Sequence, residues 1–334
     1  MNQSDANIGN YEVDLATRIR AKTIVVVGAT GNLGGRIVSS IIKEGAAVRA
    51  LVRTGTADAK CEMLRKSGAS VVEADFHDLE HIVRACAGAS CVISALAGLR
   101  DVIVDTQQIL LEGSVKASVP RFIPSDFSAD YTRWPQHENR TLDLRRDFSR
   151  NLDNAAIAST SILNGAFLDL LLGRSAHSWP DSRYRPFPAF DLEACTVTYW
   201  GDPDYKLEFT KLDDVAKFTA LASLDASAPR TLRIVGVRIS ARELAAVARD
   251  VLGKRFELID AGSITELSNT ISRLKTTSNP DDRDVYPYWQ VMMYMRTMFS
   301  GSAEVGPLDN QRYPHLRWTS ARELLEERVG VVAR

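Results

Sequence analysis

The sequence predicts an α/β fold: a doubly wound parallel sheet with a smaller α/β region toward the C-terminus. Three observations carry this. A β-branched run, Thr23 to Val27, passes into Gly28-x-x-Gly31-x-x-Gly34 and then a stretch with Leu33, Ile37, Val38, Ile41 and Ile42 on one helical face. Short β-rich runs then alternate with helical runs as far as Asn164, the pattern of a parallel sheet covered on both faces. Beyond Asn164 the alternation loosens into short strands, proline-bearing loops and capping boxes.

The opening strand, glycine turn and helix form a dinucleotide-binding unit of Rossmann type. Gly28 lets the chain leave the strand in a tight turn. Gly31 lets the backbone approach a pyrophosphate, and Gly34 lets the helix pack near the sheet, so that free helix N–H groups face the phosphates. Thr30, Asn32 and Leu33 complete this cradle. Such a glycine spacing is weak alone, and the flanking strand and helix supply the context it needs. The second strand, Val48 to Val52, is followed by Arg53, with no carboxylate at its end. NAD enzymes of this design place an acid roughly 20 residues after the turn, to accept from the ribose 2′-hydroxyl. Arg53, with Lys60 beyond it, suits a 2′-phosphate and hence NADP(H). One charge-assisted contact of about 1.5–3 kcal/mol is roughly a 10- to 150-fold preference. The competing reading of Arg53 is an ordinary solvated arginine.

The third strand, Ser70 to Glu73, ends at Asp75-Phe76, expected beside the adenine with Asp75 accepting from its amino group. A short helix, Leu79 to Cys86, leads to a fourth strand, Cys91 to Ser94. Its end, Ser94-Ala95-Leu96, is expected along the nicotinamide-side ribose and phosphate. A long helix covers Val102 to Ala117. The fifth strand, Arg121 to Pro124, opens into Ser125-Asp126-Phe127, where the nicotinamide would sit. Leu142 to Ala158 is helical, and a sixth strand, Ser161 to Asn164, delivers Asn164 and Phe167 across from it. Right-handed crossovers set these strand ends along one edge. Helix caps for Asp75 and Asp126, and a satisfied strand-end hydroxyl for Ser94, are the structural alternatives.

Farther on, Pro180 to Pro188 reads as a loop. Thr196 to Trp200, Leu232 to Val235 and Phe256 to Ile259 read as strands, and Leu212 to Leu224 as a helix. Ser240-x-x-Glu243 and Ser320-x-x-Glu323 are capping boxes. Tyr286 to Phe299 holds five aromatic residues and four methionines in fourteen positions, suited to a core helix, a substrate lid or a subunit interface. The expected division is an arm over 1–20, a Rossmann domain over 21–165, and a C-terminal substrate or partner domain over 166–334 with segments returning to the first.

Of 334 residues, 45% are hydrophobic and 25% charged, ordinary values for a globular chain. A formal net charge of −1, with both signs interspersed, offers no electrostatic case for nucleic acid or a membrane surface. Cys61, Cys86, Cys91 and Cys195 fit no metal spacing or disulfide framework, so no metal and a reducing cytoplasm are expected. No apolar run reaches the roughly 18 residues of a membrane span, and Met1 to Arg20 lack an apolar signal core.

Gly28-Ala-Thr-Gly-Asn-Leu-Gly34, Leu51-Val-Arg53, Arg121-Phe-Ile-Pro-Ser-Asp-Phe127 and Phe209-Thr-Lys-Leu-Asp-Asp-Val215 resemble the NmrA-like and isoflavone-reductase-like branch of the atypical short-chain dehydrogenases, over about Lys22 to Asp260. The resemblance implies an NADP(H)-binding Rossmann domain and a small substrate domain. Some members reduce aromatic, quinone-like or phenylpropanoid substrates. Others bind NADP without known catalysis and act as redox-sensing regulators through protein partners. The isoflavone-reductase branch carries a proton-transfer lysine early in the helix after strand five. Here no lysine occurs between Lys116 and Lys206, and Arg145 stands in the best-matching stretch. Arginine stays protonated and makes a poor general acid, though it could hold a substrate oxyanion or a cofactor phosphate. The Tyr-x-x-x-Lys pair of typical short-chain dehydrogenases is absent too. His137, Tyr131 and Asp126 are the substitute proton-handling candidates. Two functions stay open: an NADPH-dependent reductase of a planar aromatic, quinone-like or enone molecule, and a non-catalytic NADP(H) sensor. A homodimer or a regulatory protein partner fits either.

Overall fold

The structure, a computed structural model, describes residues 19, 21–175, 187–279 and 283–332. The expected N-terminal arm, except residue 19, and positions 180–186 of the Pro180–Pro188 loop lie outside these. The chain forms two compact units. The first comprises Met1–Ser125, Phe148–Ser161 and Ala216–Leu232; the second comprises Asp126–Asp147, Ile162–Val215 and Arg233–Arg334. Asp126–Asp147 belongs to the second unit, and Ala216–Leu232 belongs to the first.

The first unit holds a six-stranded sheet, all of its pairs parallel: β1 (Thr23–Val27), β2 (Ala47–Arg53), β3 (Ser70–Ala74), β4 (Cys91–Ser94), β5 (Arg121–Ile123) and β6 (Ala158–Ser159). Their spatial order is β3-β2-β1-β4-β5-β6, so the winding reverses between β1 and β4, where such sheets form their ligand crevice. Ile24 to Val27 and Cys91 to Ile93 are wholly buried. That is why both strands read as unbroken apolar runs rather than alternating ones. Helix α1 (Asn32–Lys43) buries Ile37, Val38 and Ile41. Leu51, Ile82, Leu110, Phe122 and Phe148 belong to the core of this unit.

Four details depart from the sequence reading. The sixth strand of the sheet is Ala158–Ser159, not Ser161 to Asn164. Thr160 N–H still donates to Phe122 O (3.0 Å), but Ser161 N–H turns to Arg230 O (2.9 Å), so the chain leaves the sheet after one residue. The helix expected over Leu142 to Ala158 runs Arg140–Asp153. The long helix after β4 opens with a π-helical turn, Asp101–Thr106, before its α-helical part, Gln107–Lys116. A further helix, Asp58–Lys66, carries Lys60.

The second unit is built from short sheets and helices. Lys206–Thr210 pairs antiparallel with Val237–Ser240 and parallel with Ala166–Phe167, while Thr196–Tyr199 pairs with Glu257–Asp260. The Met-rich segment forms a helix, Tyr288–Phe299, whose Met292, Met293, Met295 and Phe299 lie in the core with Trp200, Phe209 and Leu244. Packing is thus its observed role. Ser240 and Glu243 form the expected capping box, as do Ser320 and Glu323. No helix among the described residues is long and apolar enough to cross a membrane.

Candidate functional site: a phosphate cradle and a buried polar cluster

In the first unit the ends of the parallel strands make one edge. Gly28 sits at φ +81, and a Cβ there would lie 2.5 Å from Ala95 O. A Cβ at Gly34 would lie 2.2 Å from Gly28 O, so the backbone of α1 touches the turn. Gly31 is the N-cap of α1, has ordinary extended dihedrals, and would place a Cβ 3.2 Å from Gly28 O with nothing else near. Gly31 offers α1 no side-chain cap, and the first turn of the helix carries no acid. The positive end of its dipole, at an acid-free first turn, therefore suits an anion. Thr30 is exposed, Leu33 is half-buried, and Asn32 accepts from the Arg36 guanidinium.

Arg53 is the last residue of β2 and stands opposite Ala74 in register, with Asp75 next along the same edge. Arg53 and Lys60 are both exposed. Asp75 is exposed and accepts from His77 N–H (2.9 Å); the cap of the following helix is instead Asp78. Phe76 is a core side chain of this unit, packed with Ile82 and Leu96, so its ring is not at the surface. Ser94 is wholly buried at the end of β4, and its hydroxyl has no hydrogen-bond partner, so it is not the satisfied strand-end group of the alternative reading. Ala95 N–H donates to Val27 O (2.9 Å), and Ser125 donates through Oγ to Leu96 O (2.5 Å). Sequence reasoning missed Gln107. Its Oε1 accepts from Ser125 N–H (2.9 Å) while its Nε2 donates to Ile103 O (2.6 Å), tying the end of β5 to the π-helical turn. A glutamine in a helix carries no signal of that task.

The other candidates lie in the second unit. Asp126 is wholly buried and accepts from the Tyr131 hydroxyl at 2.9 Å; Tyr131 is buried too rather than on an open loop, packed with Trp134, Leu142, Ala303 and Val305. His137 is exposed at φ +69, and its backbone N–H donates to Asp143 (3.0 Å). The structure brings Tyr131 to Asp126 and leaves His137 outside that pair. Asn164 is buried with Oδ1 unpartnered; its N–H donates to Ser128 O (2.9 Å) and its carbonyl accepts from Thr210 Oγ1 (2.8 Å). Phe167 is half-buried, opposite Thr210.

Arg145 is buried on the helix Arg140–Asp153, and Nη1 donates to Thr141 O at 2.9 Å. Beside it lies a polar network not visible in the sequence. Asn139 donates to Thr297 Oγ1 (3.1 Å). Its Oδ1 accepts from Thr141 Oγ1 (3.0 Å) and Gln290 Nε2 (2.9 Å), and Thr141 meets the Tyr294 hydroxyl. Among the described residues no group of three or more His, Cys, Asp or Glu could hold a metal.

A sheet wound in this order, with a glycine turn and an uncapped helix at the reversal, defines a dinucleotide-binding α/β protein. The chain belongs to the NmrA-like family, which matches residues 20–317. It is 28% identical over 320 residues to a bifunctional pinoresinol-lariciresinol reductase of Linum perenne, covering 91% of this chain and 98% of that one. Among solved structures it resembles an isoflavone reductase (TM-score 0.74, 23% identity, 92% of this chain and 99% of that one). It also resembles the binary complex of leucoanthocyanidin reductase with NADPH from Vitis vinifera (TM-score 0.74, 18% identity, 92% and 99%).

Proposed function

We propose that this protein is an NADPH-dependent oxidoreductase that reduces a planar aromatic, quinone-like or enone molecule. The observation that carries this reading is the uncapped, acid-free start of α1 at the β1/β4 reversal, with Arg53 rather than a carboxylate ending β2. The relatives support it, being reductases of pinoresinol and lariciresinol, isoflavone and leucoanthocyanidin by name, the last in complex with NADPH.

When bound, NADPH supplies a hydride. The turn Gly28 to Gly34, with Thr30, Asn32 and Leu33, receives the pyrophosphate. Arg53 and Lys60 hold the 2′-phosphate. Asp75 accepts from the adenine amino group, with Phe76 supporting that edge from the core. Ser94, Ala95, Leu96 and Ser125 of the first unit are the residues we assign to its nicotinamide half, and Asn164 and Phe167 are the second unit's candidates for the same role. The buried Tyr131–Asp126 pair is the strongest protein candidate for moving a proton. His137, in solvent, is the weaker one, and a reduced quinone can take its proton from water.

Calorimetric titration with NADPH, NADP⁺ and NADH tests the cofactor half: NADPH binding well ahead of NADH is expected, and equal binding or none removes the reading. A second reading, a non-catalytic NADP(H) sensor acting through a protein partner, is favoured by one observation: the chain lacks both the family lysine and a Tyr-x-x-x-Lys pair. Its signature is tight binding that differs between NADPH and NADP⁺ with no turnover.

A further inference from the structure

Two arginines of the chain are buried to the same degree, each 8% exposed, and they are satisfied very differently. Arg121 donates to Ala228 O (2.9 Å), Ala226 O (3.0 Å) and Thr160 Oγ1, so its guanidinium is saturated by the fold. Arg145 has a single hydrogen bond among the described residues, from Nη1 to Thr141 O; its Nε is buried without a partner, and no carboxylate pairs with it. Arg146, the next residue, is engaged by Asp143 (3.9 Å) and by the carbonyls of Tyr131 and Trp134, so the shortage of partners belongs to Arg145 alone of this pair. A guanidinium never sheds its proton in a protein, and a buried charge without a counter-charge is strongly unfavourable. A fold that keeps one has a place for an anion.

A second unpartnered atom belongs to a residue that shares Thr141 with Arg145. Gln290 is wholly buried, its Oε1 has no donor, and its Nε2 reaches Thr141 Oγ1 at 3.3 Å, on the same residue whose carbonyl holds Arg145. Thr141 is in turn fixed by Asn139 and Tyr294. Thr141 thus links one buried permanent positive charge to one buried acceptor that lacks a donor.

We propose that Arg145 is an anion subsite for the substrate: the aromatic molecule reduced here carries a carboxylate, or another group ionised at neutral pH, that pairs with this guanidinium, and a hydroxyl that donates to Gln290. This rests on the reductase reading and narrows it to acidic aromatic substrates. A permanent charge calls for a permanent counter-charge, which a developing oxyanion supplies only at the transition state. Arg145 is thus a specificity-determining residue, not a proton donor.

The test is calorimetric titration of the NADP⁺-loaded protein with 4-hydroxycinnamate and with its methyl ester, in the wild type and in Arg145→Met and Arg145→Lys. The acid is expected to bind about 10- to 150-fold tighter than the ester, the value of one charge-assisted contact. Arg145→Met should erase that difference, and Arg145→Lys should keep part of it, which covers the case of a Met variant that does not fold. NADP⁺ affinity should be the same in wild type and folded variants. Equal binding of acid and ester to the wild type overturns the proposal. So does an Arg145→Met protein that loses NADP⁺ but keeps its preference for the acid, which would make the anion a cofactor phosphate. A wild-type protein that binds no NADP⁺ at all sinks the reductase reading instead, and the same acid–ester comparison on the free protein then decides the anion subsite separately.

Discussion

At the end of β2 a single side chain sets the proposed cofactor preference. Arg53 is exposed and stands in register with Ala74 at the edge where Asp75 emerges. Arg53→Glu is expected to weaken NADPH binding by about 10- to 150-fold and leave NADH binding within a few-fold, because only the 2′-phosphate is lost as a partner. An unchanged NADPH affinity would make Arg53 the solvated arginine of the alternative reading. Gly31 offers a sharper test than its neighbours. A valine at Gly28 would meet Ala95 O and a forbidding φ, and one at Gly34 would run into Gly28 O, so either would damage the fold as well as the site. Gly31 has ordinary dihedrals, and its would-be Cβ meets only Gly28 O at 3.2 Å, a tight contact that a shift of a few tenths of an ångström relieves. Gly31→Val should therefore fold, by circular dichroism, and fail to bind NADPH; a folded variant that still binds would show that no phosphate comes near this position.

Helices of the second unit that begin at Ser240, Ser263 and Ser320 carry reciprocal caps, and these make an element-scale prediction about pH. Glu243 is held below its ordinary value of 4.5 by the Lys206 ammonium first and by the Ser240 N–H next. A folded-state pKa below the unfolded one contributes stability at pH above about 4.5 that is lost as pH falls through the folded value. Glu243→Gln should thus lower the urea midpoint at neutral pH and flatten its decline on acidification; an acid limb as steep as the wild type's would show that this cap does not contribute to it. The box at Ser240 was legible from sequence because its partners lie three residues apart. So were β1, β4 and the helix Leu79–Cys86, whose bounds follow from their own side-chain pattern. The sixth strand was not, since Ala158–Ser159 and Ser161–Leu163 are separated by Thr160 alone, and periodicity does not say which partner each will find. The helix Asp58–Lys66 was missed because only Cys61 and Leu64 mark its buried face. The cluster of Asn139, Thr141, Gln290, Tyr294 and Thr297 joins positions about 150 residues apart, with no local pattern to announce it.

At the scale of the whole molecule the chain passes repeatedly between its two units. Most residues proposed for the cofactor (Gly28 to Gly34, Arg53, Lys60, Asp75, Phe76, Ser94 to Leu96 and Ser125) belong to the first, while Asp126, Tyr131, His137, Arg145, Asn164 and Phe167 belong to the second. The glycine turn was readable because it is local and backbone-encoded. Arg145, Tyr131, Asp126 and His137 were candidates from the sequence, but the burial of Arg145 and the pairing of Tyr131 with Asp126 were not readable there, because neither follows from local spacing. Turnover tests the reductase reading most directly. The measurement is NADPH consumption by the purified protein against a panel of quinones, aromatic enones and aromatic acids, with the reduced product quantified. The expected result is enzyme-dependent consumption with at least one acceptor, one NADPH oxidised per two-electron reduction, and little with NADH. Tight NADPH binding with no consumption against any acceptor would contradict the reductase and leave the sensor.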